Sequence, residues 1–453
     1  MEQLKVGYSS VVANPPLGIG VDGYYVPRFA KGILDDVGVR AIALVQGQTK
    51  ILIFSVDSCM VYEKRVAEYA AMVEKETGIG KENIFLTATH THTGPILEPE
   101  IMFFDADPDQ VAAHAAFLGE KVVEAAKLAL ADAKPARMGY IVGYAPERVA
   151  YIRRYKMKDG STWTCPPIND PNIDHPIGTL DQRVNVLRFD REGAESVVLV
   201  NYGVHTDTVN GEFLSADWPA WMAKTLDKAL DGVKCMFICG AQGDVGSTNV
   251  HPSGGDMNDT EISFDNEMKS PGMARFVGRA LAGTVLQVYD KVQYVEDVDI
   301  SITNDYIRVP SNMPTPEQMP LAKEYKAYHD AGRDDLIPYT AMELTTVVAE
   351  ALRMCDLEHG PVDFEVRLTG LKLGPVAMVG IPGEPFTDVG VAIKDTPGWD
   401  LILPCGLTNG YMGYFPMQSA FDEGGYEART SRFRGGVAER IIQGSKDLLG
   451  KMK

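Results

Sequence analysis

Segments with the length and pattern of β-strands alternate with helical segments along the whole chain, and this alternation limits the possible folds more than any other feature. Val39 to Val45 and Ile51 to Val56 predict a hairpin around Gly47. The other predicted strands are Asn83 to Leu86, Arg183 to Phe189, Ser196 to Val200, Lys234 to Ile238, Phe364 to Lys372, Ala377 to Ile381 and Leu401 to Pro404. The predicted helices are Tyr62 to Gly78, Asp109 to Ala133, Asp217 to Leu230, Gly272 to Val288, one starting at Thr315, one from its N-cap Thr340 to Met354, and one from Arg432. Such alternation is typical of an α/β fold.

Nothing in the sequence divides the chain into parts. Its 453 residues could form up to three domains, but no internal repeat or low-complexity linker occurs. We therefore predict a single domain over residues 1–453. Three long polar loops, Phe104 to Asp109, Lys156 to Leu180 and Gly246 to Met268, are typical of the rim or lid of a functional site.

The charge balance points to a small-molecule partner. The chain has 43 lysines and arginines against 62 aspartates and glutamates, a net charge of −19, which opposes binding to nucleic acid or to anionic lipid. No run of 18 apolar residues predicts a membrane span, and the first residues do not have the pattern of a signal peptide. The six cysteines are scattered, with Cys235 and Cys239 in a buried strand, so we expect a reducing, cytoplasmic location without stable membrane association.

The segment from Leu86 to Pro95 carries the strongest chemical signal. His90 and His92, two of only eight histidines, are separated by one residue and follow an apolar strand. On an extended backbone, alternate side chains point the same way, so both imidazoles are expected to face one point. Gly94-Pro95 then ends the strand, and chemistry is commonly mounted where a strand opens into a loop. The pair therefore predicts a metal site.

Three further apolar strands end in polar residues of the same kind. One ends at His205, one at Glu384, and one runs into Tyr411 and Tyr414. Two neutral imidazoles and one carboxylate are a common ligand set for catalytic zinc, which activates water for hydrolysis. Each residue alone also has a structural interpretation: His205 as a satisfied core histidine, Glu384 as a helix cap and Tyr414 as a core tyrosine.

Taken in order, these segments resemble the motifs of one family. They are Thr89-His-Thr-His-Thr-Gly-Pro95, Asn201-Tyr-Gly-Val-His205 with Ser215-Ala-Asp217, Pro382-Gly-Glu384, Leu407-Thr-Asn-Gly-Tyr-Met-Gly-Tyr414 and Tyr426-Glu-Ala-Arg-Thr-Ser431, with a partial match at Gln242-Gly-Asp-Val-Gly246. The family is that of the neutral (non-lysosomal) ceramidases, zinc-dependent amide hydrolases. The resemblance implies a catalytic domain of mixed β-sheets flanked by α-helices.

The resemblance also implies the roles of individual residues. One Zn²⁺ would be held by His90, His205, Glu384 and Tyr414, and His92 would act as general base and acid. The family's arginine near the substrate corresponds to Arg153 or Arg154, of which Arg154 is our choice. The remaining implied site residues are Asp244 as a catalytic residue, and Gln242, Asp217, Tyr411 and Ser247 at the substrate.

Two departures from the family concern the reaction and the substrate. Gly246 stands where the family has a serine, and although Ser247 and Thr248 follow, the shift favours direct attack by zinc-activated water. The chain shows neither an immunoglobulin-like segment after the Tyr414 motif nor an amphipathic stripe for docking on a membrane, so we expect a soluble substrate. Aromatic residues that could stack on it are Phe103, Phe104, Trp163, Trp218 and Trp221.

Other functions share parts of this pattern. The amidohydrolase superfamily also begins with a His-x-His pair, but on the first strand of a (β/α)₈ barrel. A glycosidase could use paired carboxylates such as Asp217 and Glu384. A lactone hydrolase or a non-catalytic zinc-binding homologue could retain the same scaffold. The favoured prediction is a zinc-dependent hydrolase that cleaves an amide bond of a soluble small molecule.

Overall fold

The computed structural model describes residues 2–98, 107–252 and 269–453. Its first strands are β1 (Lys5–Val12), β2 (Gly32–Ile33), β3 (Gly38–Gln46), β4 (Thr49–Val56), β5 (Ile84–Ala88), β6 (Lys134–Tyr144), β7 (Tyr151–Ile152), β8 (Arg154–Met157), β9 (Thr162–Thr164), β10 (Ile173–Pro176) and β11 (Arg183–Arg191). The later strands are β12 (Val197–Tyr202), β13 (Phe213–Leu214), β14 (Lys234–Cys239), β15 (Val245–Gly246), β16 (Gln293–Tyr294), β17 (Ile300–Pro310), β18 (Asp363–Leu373), β19 (Val376–Gly380), β20 (Glu384–Pro385), β21 (Leu401–Cys405) and β22 (Tyr414–Phe415).

The helices lie between these strands. They are α1 (Glu63–Thr77), α2 (Pro108–Ala131), α3 (Asp217–Ala229), α4 (Pro271–Val288), α5 (Met319–Asp330), α6 (Ala341–Leu357), α7 (Thr387–Lys394), α8 (Gln418–Glu423), α9 (Tyr426–Thr430) and α10 (Val437–Lys451). Short 3₁₀ turns occur at Lys81–Asn83, Tyr289–Lys291 and Asp334–Leu336. Among the described residues, no helix has the length and apolar character needed to cross a membrane.

Two mixed sheets form the centre of the fold. The larger sheet has the order β14-β12-β11-β6-β1-β3-β4-β5, with β16 added beside β6. Its β12–β14 and β4–β5 pairs are parallel and its other pairs are antiparallel. The second sheet has the order β17-β18-β19-β21, with only β19–β21 parallel. This confirms the prediction of mixed sheets flanked by helices and excludes the (β/α)₈ barrel of the amidohydrolase alternative.

The two sheets and their helices form four layers. One face of the larger sheet packs on α1 to α4, where Tyr69, Val122 and Leu281 share a buried cluster. Its other face packs on the second sheet through residues such as Ile53 and Met378. Helices α7 and α10 cover the outer face of the second sheet. Strands β4, β5 and β12 are almost continuously apolar because both of their faces are buried.

Most predicted elements occur within a few residues of their expected ends. The last helix starts at Val437 instead of Arg432, and Thr340 precedes α6 but its side chain makes no capping hydrogen bond. Strands β1, β6 and β17 were not predicted, and the expected loop from Lys156 to Leu180 contributes to a small sheet of order β10-β8-β9. Of the predicted loop from Phe104 to Asp109, residues 104–106 lie outside the described residues and the rest forms the cap and first turn of α2. Most of the loop from Gly246 to Met268 lies outside the described residues, at 253–268.

The carboxyl ends of several strands meet at one place. At the end of β5 the Ala88 amide donates to the Leu407 carbonyl at 3.2 Å, and after β14 the Gly240 amide donates to the Tyr202 carbonyl at 2.9 Å. The Gly406 amide, after β21, donates to the Cys239 carbonyl at 3.0 Å. The loops that follow these strands are therefore held together, and they carry the predicted metal ligands.

Candidate metal centre

The histidine pair lies in a turn just beyond β5. The strand ends at Ala88, and His90 adopts a left-handed conformation with φ of 69° while its amide donates to the Ser58 carbonyl at 2.9 Å. The two Nε2 atoms of His90 and His92 lie 3.4 Å apart, with ring planes at 82°. The imidazoles do converge, but the expected extended backbone was wrong: the turn aims them at each other.

Two histidines and one glutamate form the centre of the site. His205 follows β12, and its Nε2 lies 3.1 Å from Oε2 of Glu384, which is also 3.2 Å from Nε2 of His90. All three side chains are about 1% exposed. Ligands at about 2.0–2.1 Å from a tetrahedral zinc lie roughly 3.3–3.4 Å from one another. The two distances from Oε2 of Glu384 are close to this value, and all three ligand atoms lie within 4.8 Å of one another, so the group fits one zinc ion.

Backbone hydrogen bonds set the orientation of both imidazoles. Nδ1 of His90 lies 2.7 Å from the Cys59 carbonyl, and Nδ1 of His205 lies 2.8 Å from the Val245 carbonyl. A carbonyl only accepts, so each Nδ1 carries the proton and each Nε2 presents a lone pair to the centre. Oε2 of Glu384 is buried there without a hydrogen-bond partner among the described residues. The lone pairs of the two Nε2 atoms and of Oε2 are therefore suited to bind a cation.

The charges at the centre also fit a cation. Burial lowers the pKa of His205 to about 4, which leaves its ring neutral and able to act as a ligand. Burial acts against the charge on Glu384, but the two imidazoles outweigh it and hold the pKa of this carboxyl well below its usual range. Glu384 is therefore an ionised buried carboxylate facing two imidazole nitrogens.

The tyrosine motif lies beside the glutamate. Strands β20 and β22 pair in parallel with Glu384 directly opposite Tyr414. The Tyr411 hydroxyl donates to Oε1 of Glu384 at 2.8 Å, which leaves Oε2 for the centre. Burial and then the charge of Glu384 raise the pKa of Tyr414, while Arg153, whose guanidinium lies 5.4 Å from the ring centroid, opposes that rise. Tyr414 lines the same cavity as His90 and His92.

Comparison with solved structures gives the same fold. The described chain superimposes on the crystal structure of neutral ceramidase from Pseudomonas aeruginosa with a TM-score of 0.72 and 16% identity, covering 100% of this chain and 75% of that one. A ceramidase complexed with C2 matches with a TM-score of 0.71 and 16% identity, covering 100% of this chain and 76% of that one. The chain has the neutral ceramidase fold. No protein-family profile and no curated protein sequence matches it.

Within this fold, Arg153 and not Arg154 contacts the metal-ligand cluster. Nη1 of Arg153 lies 3.2 Å from Nε2 of His205, and its Nε forms a 2.8 Å ion pair with Glu427. Arg154 donates to Glu423 at 3.0 Å and contacts none of the predicted ligands in the described structure. Neighbouring residues on an extended chain point to opposite sides, and this alternation turns Arg154 away from the centre.

Two predicted aspartates accept hydrogen bonds from backbone amides and threonine hydroxyls. Asp244 accepts from the amide and hydroxyl of Thr387 at the start of α7, at 2.8 and 2.9 Å. Asp217 accepts from the amides of Thr208 and Trp218 and from the Thr208 hydroxyl. Burial raises the pKa of Asp244 to about 6 and that of Asp217 to about 7. Asp217 and Glu384 therefore have separate sets of partners, backbone amides and Thr208 for the first and the two imidazoles and Tyr411 for the second.

The remaining predicted residues lie around the centre. Gln242 is fully buried, and both polar atoms of its amide lack a hydrogen-bond partner in the described part of the chain. Ser247 lines a small cavity with Arg153 and His205. A Cβ on Gly246 would meet only Arg153, at 3.8 Å, so the glycine leaves open space beside the arginine.

The three tryptophans predicted for the rim do not line the cavity of the metal-ligand candidates. Trp218 is buried below the site, where its indole donates to the His205 carbonyl at 3.1 Å. Trp163 and Trp221 pack against apolar clusters away from the cavity. Phe103 and Phe104 lie outside the described residues.

A polar cluster behind His92 was missed. The Asp207 carboxylate accepts from Tyr24 at 2.5 Å and pairs with Lys269 at 2.7 Å, and it lies 3.8 Å from Nδ1 of His92. Burial lowers the pKa of His92 well below its usual value; the charge of Asp207 opposes this shift, whereas Lys269 adds to it. The Thr206-Asp-Thr sequence directly after His205 was the available signal, but Tyr24 and Lys269 have no signature in the sequence.

A second group of possible ligands is less suited to metal. Cys59, His90 and His92 also lie together, but Sγ of Cys59 faces Nδ1 of His90, which is already bonded to the Cys59 carbonyl. Burial raises the pKa of Cys59 well above its usual value, so the thiol stays protonated.

Proposed function

We propose that this protein is a zinc-dependent hydrolase that cleaves an amide bond in a small molecule. The observation that carries the proposal is the buried convergence of His90, His205 and Glu384, whose ligand atoms have the spacing of a tetrahedral zinc shell. The neutral ceramidase fold supports it, because one of the matched structures is a neutral ceramidase and the other a ceramidase. Tyr414 is the proposed fourth ligand, from its place opposite Glu384.

Zinc bound there would lower the pKa of a bound water to about 7 and polarise a substrate carbonyl. The chain's own residues would orient the metal ligands and transfer protons. Tyr411 fixes the carboxylate of Glu384 through its 2.8 Å hydrogen bond, and the Cys59 and Val245 carbonyls fix the two imidazoles. The site thus needs little rearrangement on binding.

His92 is the proposed proton carrier. Its Nε2 faces the ligand cluster, 3.4 Å from Nε2 of His90, and its side chain is 11% exposed in the same cavity. An imidazole at this position can take the proton of the attacking water at Nε2 and return it to the leaving amine. Asp207 stands near the opposite ring nitrogen, at 3.8 Å, where it favours a proton on Nδ1.

Arg153 takes the role that was assigned to Arg154. Its guanidinium reaches the edge of the ligand cluster and is anchored by Glu427 and by the Gly243 carbonyl at 2.8 Å. A guanidinium held in this way can donate to the carbonyl oxygen on which negative charge develops. Asp244 holds the start of α7 through Thr387, and Ser247 lines the small cavity beside Arg153.

The size of the cavity supports a small substrate. The space lined by His90, His92 and Glu384 has a volume of about 140 Å³. A cavity of about 150 Å³ holds one benzene molecule, so a long acyl chain would extend beyond this space. We therefore keep the prediction of a soluble substrate, and the cytoplasmic location also stays a prediction.

Metal analysis of purified variants tests the proposal. We expect about one zinc per chain in the wild type, and loss of that zinc in His90→Ala. His92→Ala is expected to keep its zinc and lose hydrolysis of a panel of N-acyl compounds. His175→Ala is the matched control, because it removes a histidine that is 60% exposed.

Each outcome has a separate meaning. A metal-free wild type with full hydrolytic activity contradicts the zinc site. Zinc loss in His92→Ala would make His92 a ligand instead of a proton carrier. Wild-type protein that binds zinc and cleaves lactones or glycosides but no amide would establish those alternatives, and zinc binding without any hydrolysis would indicate a non-catalytic homologue.

A further inference from the structure

The cavity beside the metal ligands has an unusual wall. Tyrosine rings supply much of it, and several of them contact one another edge to face: Tyr62 with Tyr411 at 5.6 Å, Tyr25 with Tyr426 at 6.4 Å, and Tyr414 with Tyr426 at 5.6 Å between ring centroids. Such rings offer negative faces to a bound cation.

The charged groups of this wall are all acidic. Asp22, Glu98 and Glu384 line the cavity, and the described lining contains no lysine or arginine. Glu384 faces the two imidazoles, and Glu98 is paired with Arg65 at 2.8 Å. Asp22 is therefore the carboxylate of this lining that forms no ion pair in the described structure.

Asp22 is held at the wall by its backbone. Its amide donates to the Gly94 carbonyl at 2.9 Å, and its carboxylate accepts the Gly23 amide at 2.7 Å. The nearby Arg28 donates to the backbone carbonyls of Asp22 and His92 and stacks on the Tyr24 ring at 4.1 Å. Among the described residues, no cation forms an ion pair with the Asp22 carboxylate. This half-buried charge lacks the partner that such groups usually have.

We propose that Asp22 and the surrounding tyrosine rings bind an ammonium group of the substrate. The inference rests on the proposed function and specifies its substrate class: a small amide that carries a protonated amine. The ammonium donates to the free lone pairs of the Asp22 carboxylate and lies against aromatic rings, which favours it over a neutral or anionic group of the same size. The volume of about 140 Å³ limits this part of the substrate to roughly the size of a six-membered ring.

Three ligands of matched shape test this preference by calorimetry on the purified protein at pH 7. Benzylamine is the cationic probe, benzyl alcohol the neutral one and benzoate the anionic one. We expect benzylamine to bind at least tenfold more tightly than benzyl alcohol. Benzoate, whose carboxylate can coordinate the proposed zinc, is expected to bind more tightly to Asp22→Asn than to the wild type. Equal binding of benzylamine and benzyl alcohol would overturn the proposal.

The variant Asp22→Asn isolates the carboxylate, because asparagine retains the shape and can still accept from the Gly23 amide. It is expected to remove the preference for benzylamine, whereas the control Asp290→Asn, at a position that is 91% exposed, is expected to keep it. An amine that coordinated the metal would keep its affinity in Asp22→Asn, and that result also refutes the proposal. If Asp22→Asn does not fold, equal wild-type affinities for benzylamine and benzyl alcohol still refute the proposal.

The failure of this inference differs from a failure of the proposed function. Protein that contains zinc but shows no cation preference refutes the ammonium site alone. Protein without zinc refutes the proposed function, whatever the affinities of the three ligands.

Discussion

The buried histidine of α2 predicts a specific loss of stability in acid. His114 is 3% exposed, and neither ring nitrogen has a hydrogen-bond partner among the described residues. Burial alone lowers its pKa from 6.5 to about 4 in the folded protein. Because the folded state resists protonation, the stability that neutral His114 contributes is complete above pH 6.5 and is lost as the pH falls towards 4.

The size of this effect follows from the two pKa values. A shift of one unit corresponds to about 1.4 kcal/mol, so the full loss below pH 4 is about 3.4 kcal/mol. At pH 5 the folded protein should already have lost about 2 kcal/mol of its free energy of unfolding through this one residue. For a typical domain this is a large fraction of the total.

Urea unfolding at pH 8 and pH 5 measures the effect. Between these pH values, the wild type should lose about 2 kcal/mol more than His114→Leu, which has no titrating group in that site. His175→Ala removes an exposed histidine and should lose as much as the wild type. Loss of metal in acid affects all three proteins and cancels in the comparison. Equal losses in the wild type and His114→Leu would refute the reasoning.

Two further predictions concern the site itself. Glu384→Gln should hold less than about a tenth of the wild-type zinc by elemental analysis, because a charged ligand becomes neutral. Tyr411→Phe loses only the hydroxyl that donates to Glu384, so it should retain most of the zinc. Gly23→Ala should lower amide hydrolysis about 10- to 100-fold at unchanged zinc content, because its Cβ would lie 2.8 Å from the His92 side chain and displace the ring. Gly160 is the control, because it has a similar positive φ of 88° but an added Cβ would meet nothing within 4 Å. An equal loss of activity in Gly160→Ala would show that backbone strain, and not displacement of the His92 ring, is the cause.

Local patterns were sufficient for most of the elements. The alanine-rich run of α2 and the apolar runs of β4, β12 and β19 are recognisable because their periodicity reflects burial. Strand β6 was missed because its proline, arginine and glycines hide any alternation, although it pairs with β11 over nine residues. Its pairing partners are distant in sequence, so no local window contains the reason for the strand.

The candidate site was predictable to different degrees. His90, His205 and Glu384 each follow an apolar strand, and the resemblance of their motifs to one family was enough to group them before any contact was known. The choice between Arg153 and Arg154 could not be made in this way, because the direction of a side chain at that point depends on the register with β15 and on Glu427. Asp22 and Tyr24 lie in one loop and Lys269 in a segment far away in the sequence, and only their packing reveals them.

The amino-acid sequence alone determined the class of fold, the acidic charge and the identity of the metal-ligand candidates, since each depends on residue type and on order along the chain. The three-dimensional arrangement was needed for everything that depends on direction. The left-handed turn at His90, the hydrogen bonds that aim each Nε2, and the cavity that joins Asp22 to six tyrosines arise from contacts between residues far apart in the chain. Backbone propensity limits a residue to a few conformations, but long-range packing selects among them, and a catalytic site requires one particular choice at every position.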